Sequence, residues 1–122
     1  MGMKSKRKGR VGEAEWVKIL NHKFGVDYAR TPMSGGMDAK GDVIKKWGSK
    51  ASRVDDCHFE IKRQENLNIH KAIEQAQRDC RPNKIPVVAH RRSNDQWKVT
   101  MYADDFLNLV KELDEQESEN KV

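Results

Sequence analysis

Apolar residues recur at helical spacing near the start of the chain. A helix is predicted from about residue 12 to residue 23, and one of its faces carries Glu13, Trp16, Val17, Leu20 and Phe24. Spacings of three, four, seven and eleven residues are typical of an amphipathic helix. Glu13 therefore lies within an apolar stripe, whereas Glu15 falls on the opposite side, which we expect to face solvent.

A carboxylate within an apolar stripe needs an explanation. Burying it unpaired would cost several kcal/mol, so Glu13 implies a partner, which is a metal ion, Lys62 or a bound proton. The alternative is an ordinary acidic residue at a helix start, where the positive end of the helix dipole favours it.

Three strands are predicted in the segment that follows. Residues 26–30 and 41–47 are expected to form short strands on either side of the turn-rich segment TPMSGGMDAKG. In a third strand, residues 57–64, Cys57, Phe59 and Ile61 alternate with His58, Glu60 and Lys62. Because successive side chains leave a strand on opposite faces, one set is expected in the core and the other is available for chemistry.

The second half of the chain continues the alternation of helices and strands. A helix is predicted over residues 68–80 with Asn68 as its N-cap, then strands over 85–91 and 97–102 joined by the turn SNDQ. A last helix should begin at Asp104 or Asp105 and bury Phe106, Leu107, Val110 and Leu113. The order α-β-β-β-α-β-β-α predicts one α/β domain.

Charge is distributed unevenly along the 122 residues. The net charge is +5, but residues 104–122 hold seven acidic and two basic side chains, which leaves +10 on residues 1–103. A basic body of this kind attracts nucleic acid through its phosphates. We expect residues 1–11 to form a flexible basic arm, 12–114 the folded domain and 115–122 an acidic frayed tail.

Cysteine usage and hydropathy narrow the class of protein further. Cys57 and Cys80 are isolated, and no histidine stands at zinc-finger spacing, so we expect two reduced, buried thiols and no structural zinc. No apolar run reaches the length of a signal-peptide core or a membrane span. The expectation is a cytoplasmic protein without a membrane partner.

Acidic and basic residues at two predicted strands suggest metal-assisted phosphodiester hydrolysis. Glu60 and Lys62 are two residues apart on one strand, so both leave the same face about 7 Å apart. Asp42 opens the preceding strand and would supply a second carboxylate for Mg²⁺. Asp38 competes with Asp42, but it lies in a glycine-rich turn with no strand after it.

Four motifs in a fixed order resemble a known family. They are Arg7-Lys8-Gly9-x3-Glu13-x-Glu15, then Arg30 with Ser34-Gly35-Gly36, then Gly41-Asp42-Val43-Ile44, and Glu60-Ile61-Lys62. Their order resembles the archaeal-type Holliday junction resolvases of the PD-(D/E)XK nuclease superfamily, over roughly residues 7–80. The interval from Asp42 to Glu60 is longer than expected for those resolvases, because residues 47–56 form a charged excursion.

The resemblance implies a fold and a division of roles. The fold would be restriction-endonuclease-like, with a mixed central sheet flanked by helices. Glu13, Asp42 and Glu60, with the Ile61 carbonyl, would gather Mg²⁺, for which Mn²⁺ would substitute. Lys62 would activate water or stabilise the phosphorane. Ser34 and a helix glutamine, either Gln75 or Gln77, would assist. The family further implies a symmetric homodimer that acts on branched DNA.

DNA contacts are expected from basic and polar residues across the chain. The residues that we assign to them are Lys6, Arg7, Lys8, Arg10, Arg30, Ser34 and Gln75, with Arg91 and Arg92 as further phosphate contacts. For the dimer interface we expect Trp97, Met101, Phe106 and Leu109. His58 shares a face with Glu60, which leaves a place at the border of the site open to it, but we expect an ordinary surface histidine.

Two other functions fit the same residues. One is a VRR-type or restriction-like nuclease that acts on flaps, nicks or ends in replication or repair. The other is a DNA-binding protein without catalysis, which the presence of all four candidate catalytic residues argues against. The compactness of the chain is compatible with a phage-encoded protein that acts in the host cytoplasm.

Overall fold

The computed structural model describes residues 2–24, 28–30, 43–45 and 53–120, with side chains for 11–24 and 53–119. The elements in chain order are α1 (Gly2–Phe24), β1 (Tyr28–Arg30), β2 (Val43–Lys45), a short 3-10 helix (Arg53–Asp56), β3 (Cys57–Arg63), α2 (Ile69–Asp79), β4 (Ile85–Arg91), β5 (Lys98–Met101) and α3 (Ala103–Asn120). The predicted order of helices and strands is confirmed, and the 3-10 helix is an addition within the charged excursion.

The strands form a three-stranded mixed sheet and a separate antiparallel pair. In the sheet the order is β3-β4-β5, with β3 parallel to β4 and β4 antiparallel to β5. The parallel step requires a crossover, which α2 provides. β1 pairs with β2. This α/β arrangement, with helices against a mixed sheet, is compatible with the predicted restriction-endonuclease-like fold.

One face of the sheet is covered by α1. Trp16 and Leu20 pack against Phe59 and Ile61 of β3 and against β4, and the rings of Trp16 and Phe59 meet edge to face with centroids 5.4 Å apart. Gly12 permits this approach, since a Cβ there would lie 3.0 Å from Arg63 Cβ. Any larger residue at this position would push the helix away from the strand.

The other face of the sheet is covered by α2. Ala72, Ile73 and Ala76 pack on Val88, which is fully buried at the centre of β4. The helix begins as predicted, because the side-chain oxygen of Asn68 accepts a hydrogen bond from the Lys71 backbone nitrogen at 3.1 Å. Both β3 and β4 therefore lie between the two helix layers, and β3 forms one edge of the described sheet.

The start of α1 differs from the prediction. The helix begins at Gly2, ten residues earlier than expected, so the basic segment has helical backbone. Lysine and arginine are good helix formers, and the periodic apolar signal marked only the part of the helix that packs. The mobility expected of this segment and the division of the chain at residues 11 and 114 stay predictions.

The prediction that α3 buries its apolar residues is wrong. The exposed fractions are 53% for Phe106, 60% for Leu107, 39% for Val110 and 61% for Leu113. Periodicity predicted the helix correctly, but it does not show which surface an apolar face packs against. Because α1 and α2 already cover both faces of the sheet, the apolar face of α3 stays exposed. The helix is tied at the surface by an ion pair of 3.4 Å between Arg53 and Glu112.

Candidate active site

The middle of β3 presents the candidate catalytic residues on one face. Phe59 and Ile61 enter the core under α1, so Glu60 leaves on the face covered by α2, as the alternation of the sequence predicted. In the sheet register Glu60 stands beside Val88 of β4. The carboxylate is consequently buried, with only 5% of the residue exposed.

Both oxygens of Glu60 have a basic side chain nearby. Lys62 Nζ lies 3.7 Å from Oε1, and His58 Nε2 lies 3.7 Å from Oε2. Both distances are too long for a hydrogen bond. Within the part of the chain that the structure describes, Glu60 Oε2 makes no hydrogen bond at all. The structure therefore brings together Glu60 and Lys62, two of the residues that the sequence predicted as catalytic.

The expectation that His58 is an ordinary surface residue is wrong. Only 7% of it is exposed, and its Nε2 atom is buried without a hydrogen bond from any described residue. The alternation His-x-Glu-x-Lys already placed His58 on the Glu60 face. Its burial could not be predicted from the sequence, because it depends on how far α2 extends over the end of β3.

The two glutamates of α1 lie on opposite flanks of that helix. Gly12, Trp16 and Leu20 form its fully buried line, and Glu13 is half-buried beside it rather than at its centre. Residues two apart in a helix do not share a face. Glu15 reaches arginines of β3 and β4, so Glu13 lies on the flank of α1 opposite to these contacts.

Glu15 is not a solvated residue, which corrects the prediction. Its Oε1 atom accepts a hydrogen bond of 3.0 Å from Arg91 Nε, and its Oε2 lies 3.3 Å from Arg63 Nε. Arg91 also stacks over the ring of Trp97 at 5.8 Å. The side chain of Arg91, 15% exposed, is thus engaged within the fold rather than presented to phosphate.

A row of basic side chains crosses the sheet next to Lys62. In the register Lys62 stands beside His90, and His90 beside Lys98, so all three lie on the Glu60 face. His90 and Lys98 line a cleft of about 330 Å³. The row was not predicted from the sequence, because Lys62, His90 and Lys98 become neighbours only when β3, β4 and β5 are aligned in the sheet.

His90 is held neutral within this row. Burial lowers its pKa from the usual value, and the nearby Lys98 ammonium lowers it further, against a smaller opposite effect of Asp95. Its Nε2 atom lies 3.0 Å from Thr100 Oγ1, within hydrogen-bond distance. Lys98, its neighbour in the row, also pairs with Asp95 at 3.1 Å.

The two candidate glutamines of α2 are on opposite sides of the helix. Gln77 Oε1 accepts a hydrogen bond of 3.0 Å from the Tyr102 hydroxyl, so its flank faces the β5 side of the sheet. Gln75, two residues earlier and half-buried, lies on the flank nearer to β3 and Glu60. The geometry favours Gln75 as the residue that borders the site.

Several predicted residues fall outside what the structure describes. Asp42, Ser34 and the competing Asp38 are among them. Arg30 is described by its backbone, which pairs with Val43, the residue after Asp42. Lys6, Arg7, Lys8 and Arg10 lie on the helical backbone of α1, without described side chains.

The chemistry of this site fits a divalent cation. Among the described side chains no three acidic, histidine or cysteine residues converge on one point. Glu60 Oε2 is nevertheless a buried carboxylate oxygen without a hydrogen bond from any of them, and a buried polar atom of this kind calls for a partner such as a cation. With Asp42 as the expected second ligand, the donor set would be the one that magnesium prefers.

Comparison with known families shows to which family the chain belongs. The family model described as "Phage putative PDDEXK endonuclease" matches residues 4–121. The chain belongs to this family. No curated protein and no solved structure matches it significantly.

Membership in this PDDEXK endonuclease family confirms the predicted superfamily and identifies a nuclease. It covers nearly the whole chain, including α3 and the basic start of α1, rather than residues 7–80 alone. The family implies DNA as the substrate. None of the described helices has the length and apolar character that would let it cross a membrane.

Proposed function

We propose that this PDDEXK endonuclease depends on a divalent cation, Mg²⁺ with Mn²⁺ able to substitute, and cuts branched DNA in the manner of a Holliday junction resolvase. The observation that carries the proposal is the arrangement of Glu60 on β3, which is only 5% exposed. Its Oε2 atom has no hydrogen bond from a described residue and is available to a ligand, and the Lys62 ammonium lies near its Oε1 atom. A merely structural ion pair would gain little from such burial, since desolvation offsets the attraction.

Glu60 and Asp42, with the Ile61 carbonyl, are the residues that would hold the cation. When bound, Mg²⁺ or a substituting Mn²⁺ supplies Lewis-acid stabilisation of the charge that develops on the phosphate. Burial of Glu60 keeps its carboxylate fixed and excludes competing water. Glu13, half-buried on α1, completes or tunes the set.

Lys62 has a separate role beside the carboxylates. Its side chain is 22% exposed, so Nζ can reach both Glu60 and a phosphate in the cleft. The pair with Glu60 orients Nζ, and Nζ then donates hydrogen bonds to the attacking water or to a non-bridging phosphate oxygen. Fixed donors at developing charge lower the barrier without reorganisation.

Binding of DNA would use basic residues on two surfaces. The row from Lys62 to Lys98 leads away from Glu60 along a polar cleft and offers a path for the sugar-phosphate backbone. Lys6, Arg7, Lys8 and Arg10 extend the charge along the start of α1, and Arg30, Ser34 and Gln75 are proposed as nearer contacts. Such contacts position a strand without reading its sequence, as a structure-specific nuclease requires.

A homodimer would supply the two cuts that a four-way junction needs. One copy holds one site, and a two-fold dimer places two equivalent sites on one assembly. The exposed apolar residues of α3 support this proposal, because a stripe of this kind on a helix marks an interaction surface. Trp97 and Met101, which we expected at the interface, pack instead against the core, so the interface would centre on Phe106.

The direct test is cleavage of a panel of labelled DNAs with Mg²⁺ and with a chelator. Four-way junctions, flaps, nicked duplexes and linear duplexes of the same sequence are compared. We expect paired symmetric cuts in the junction that disappear with the chelator. Preference for flaps or ends would favour the VRR-type nuclease instead, and binding without cleavage under every metal would favour the non-catalytic protein.

A further inference from the structure

We propose that His58 Nε2 is a ligand of the catalytic cation together with Glu60 Oε2, and that it makes the site prefer Mn²⁺, or a similar transition metal, to Mg²⁺. The inference deepens the proposed function and rests on it. It assigns a role to a histidine that neither the family match nor the proposed Mg²⁺ chemistry uses.

The first support is the burial of two complementary atoms. His58 is 7% exposed and Glu60 is 5% exposed, and their facing atoms Nε2 and Oε2 both lack hydrogen bonds from the described residues. Burying polar atoms without partners is costly, and such atoms are rare in folded proteins. Two of them facing each other at one point indicate that a third group belongs between them.

The second support is the distance of 3.7 Å between the two atoms. It exceeds that of a direct hydrogen bond, which is about 2.7 to 3.2 Å. A first-row metal ion binds imidazole nitrogen and carboxylate oxygen at about 2.0 to 2.2 Å each, so neighbouring ligands up to about 4 Å apart can share one ion. The pair is therefore spaced for a shared cation and too widely for a direct hydrogen bond.

The third support is the rigidity of the strand that carries both residues. His58 and Glu60 are two apart on β3, whose backbone is paired with β4 over its full length. The two Cα positions cannot separate without breaking this pairing. A nitrogen ligand selects the metal, because magnesium prefers an all-oxygen environment whereas imidazole suits transition metals.

The test is pulsed electron paramagnetic resonance of the full-length protein with Mn²⁺. A directly bound imidazole gives a nitrogen modulation, which should change when the wild-type protein is labelled with ¹⁵N-histidine. The modulation should vanish in His58→Gln and persist in the control His70→Gln, which alters an exposed histidine of α2. Mn²⁺ affinity should fall roughly tenfold or more in His58→Gln, with a much smaller change for Mg²⁺.

The outcomes separate this inference from the proposed function. If Mn²⁺ binds the wild-type protein without histidine modulation, His58 is no ligand, whether or not the enzyme cleaves DNA. If the modulation is present in the wild type and is lost in His58→Gln but not in His70→Gln, and no DNA in the panel is cut, the ligand assignment stands and the proposed function fails. Because the labelling experiment uses the wild-type chain, its negative outcome refutes the ligand assignment whether or not His58→Gln folds.

Discussion

Burial of a single carboxylate on β3 sets the chemistry of this protein at the scale of the residue. Glu60 has Lys62 and His58 on either side while α2 shields it from solvent. A charged group in this position must be compensated by an ion or a proton. The residues around this carboxylate therefore lead to specific predictions that can be tested one by one.

We predict that Glu60→Gln abolishes cleavage and leaves DNA binding nearly intact. The amide cannot replace a carboxylate as a metal ligand, whereas binding rests on phosphate contacts elsewhere. Cleavage assays and fluorescence anisotropy on the same junction provide the two readouts. Glu74→Gln, on the exposed face of α2, is the matched control and should cleave like the wild type. Wild-type cleavage by Glu60→Gln would place the metal elsewhere.

The thiol of Cys57 should react slowly. Burial, followed by the charge of Asp56, raises its pKa from 9.0 to about 11. At pH 8 the thiolate population is then about a hundredfold smaller than for an unshifted thiol. We expect Cys80, which is less buried, to be alkylated first in a mass-spectrometric time course. Equal rates for the two cysteines in the folded protein would contradict the burial of Cys57.

At the scale of the element, the packing of α1 on the sheet depends on charge as well as on apolar side chains. Gly12 lets the helix approach β3, and Glu15 then reaches arginines at the ends of β3 and β4. Glu13 lies on the other flank and is half-buried. Glu15 therefore has a structural role, and Glu13, two residues earlier, has a proposed catalytic role.

We predict that Glu15→Gln lowers the stability of the protein, whereas Glu13→Gln lowers its cleavage activity. Loss of the charge-assisted hydrogen bonds at Glu15 should lower the free energy of unfolding by about 1 to 3 kcal/mol while activity per folded molecule is retained. Glu13→Gln should fold normally and cleave poorly. Chemical denaturation and cleavage assays measure both effects, with the exposed Glu115→Gln as control. Normal cleavage by Glu13→Gln would remove that residue from the site.

At the scale of the whole molecule, the acidic helix α3 differs in charge from the rest of the chain. The positive charge lies on residues 1–103, and α3 carries four of the eight large apolar residues that are exposed among the described side chains. Under the proposed function a second subunit meets α3 and DNA meets the basic residues. Assembly and DNA binding can therefore be tested independently.

Binding of DNA should weaken steeply with salt, and the basic start of α1 should contribute to the slope. Replacing Lys6, Arg7, Lys8 and Arg10 together with glutamine should reduce the slope of log K against log salt by about 0.9 for each phosphate that these side chains neutralise in the wild type. Lys111→Gln, on the acidic helix, serves as control. An unchanged slope would show that this segment does not bind DNA.

The apolar stripe of α3 should govern the oligomeric state. We expect a dimer by light scattering, and Phe106→Ser combined with Leu113→Ser should shift it to a monomer that nicks junctions without paired cuts. Val99→Ser is the matched control, because Val99 is as exposed as Phe106, at 53%, but lies on β5. A wild-type monomer that makes paired cuts would refute the dimer.

Local periodicity determined much of this protein from its sequence. The strand at residues 85–91, the helix capped by Asn68 and the shared face of Glu60 and Lys62 were all predicted, since side-chain direction repeats with the period of each element. The family resemblance predicted the superfamily. The position of Asp42 relative to Glu60 stays a prediction, as do the catalytic roles.

Tertiary structure decided which faces are buried and which charges meet. His58 is enclosed and the apolar face of α3 is left open because α1 and α2 occupy the two sides of one small sheet. Glu15 pairs with Arg91 although 76 residues separate them along the chain. Periodicity is a property of neighbours in sequence, whereas burial and ion pairing depend on neighbours in space, which only the packed sheet and helices define.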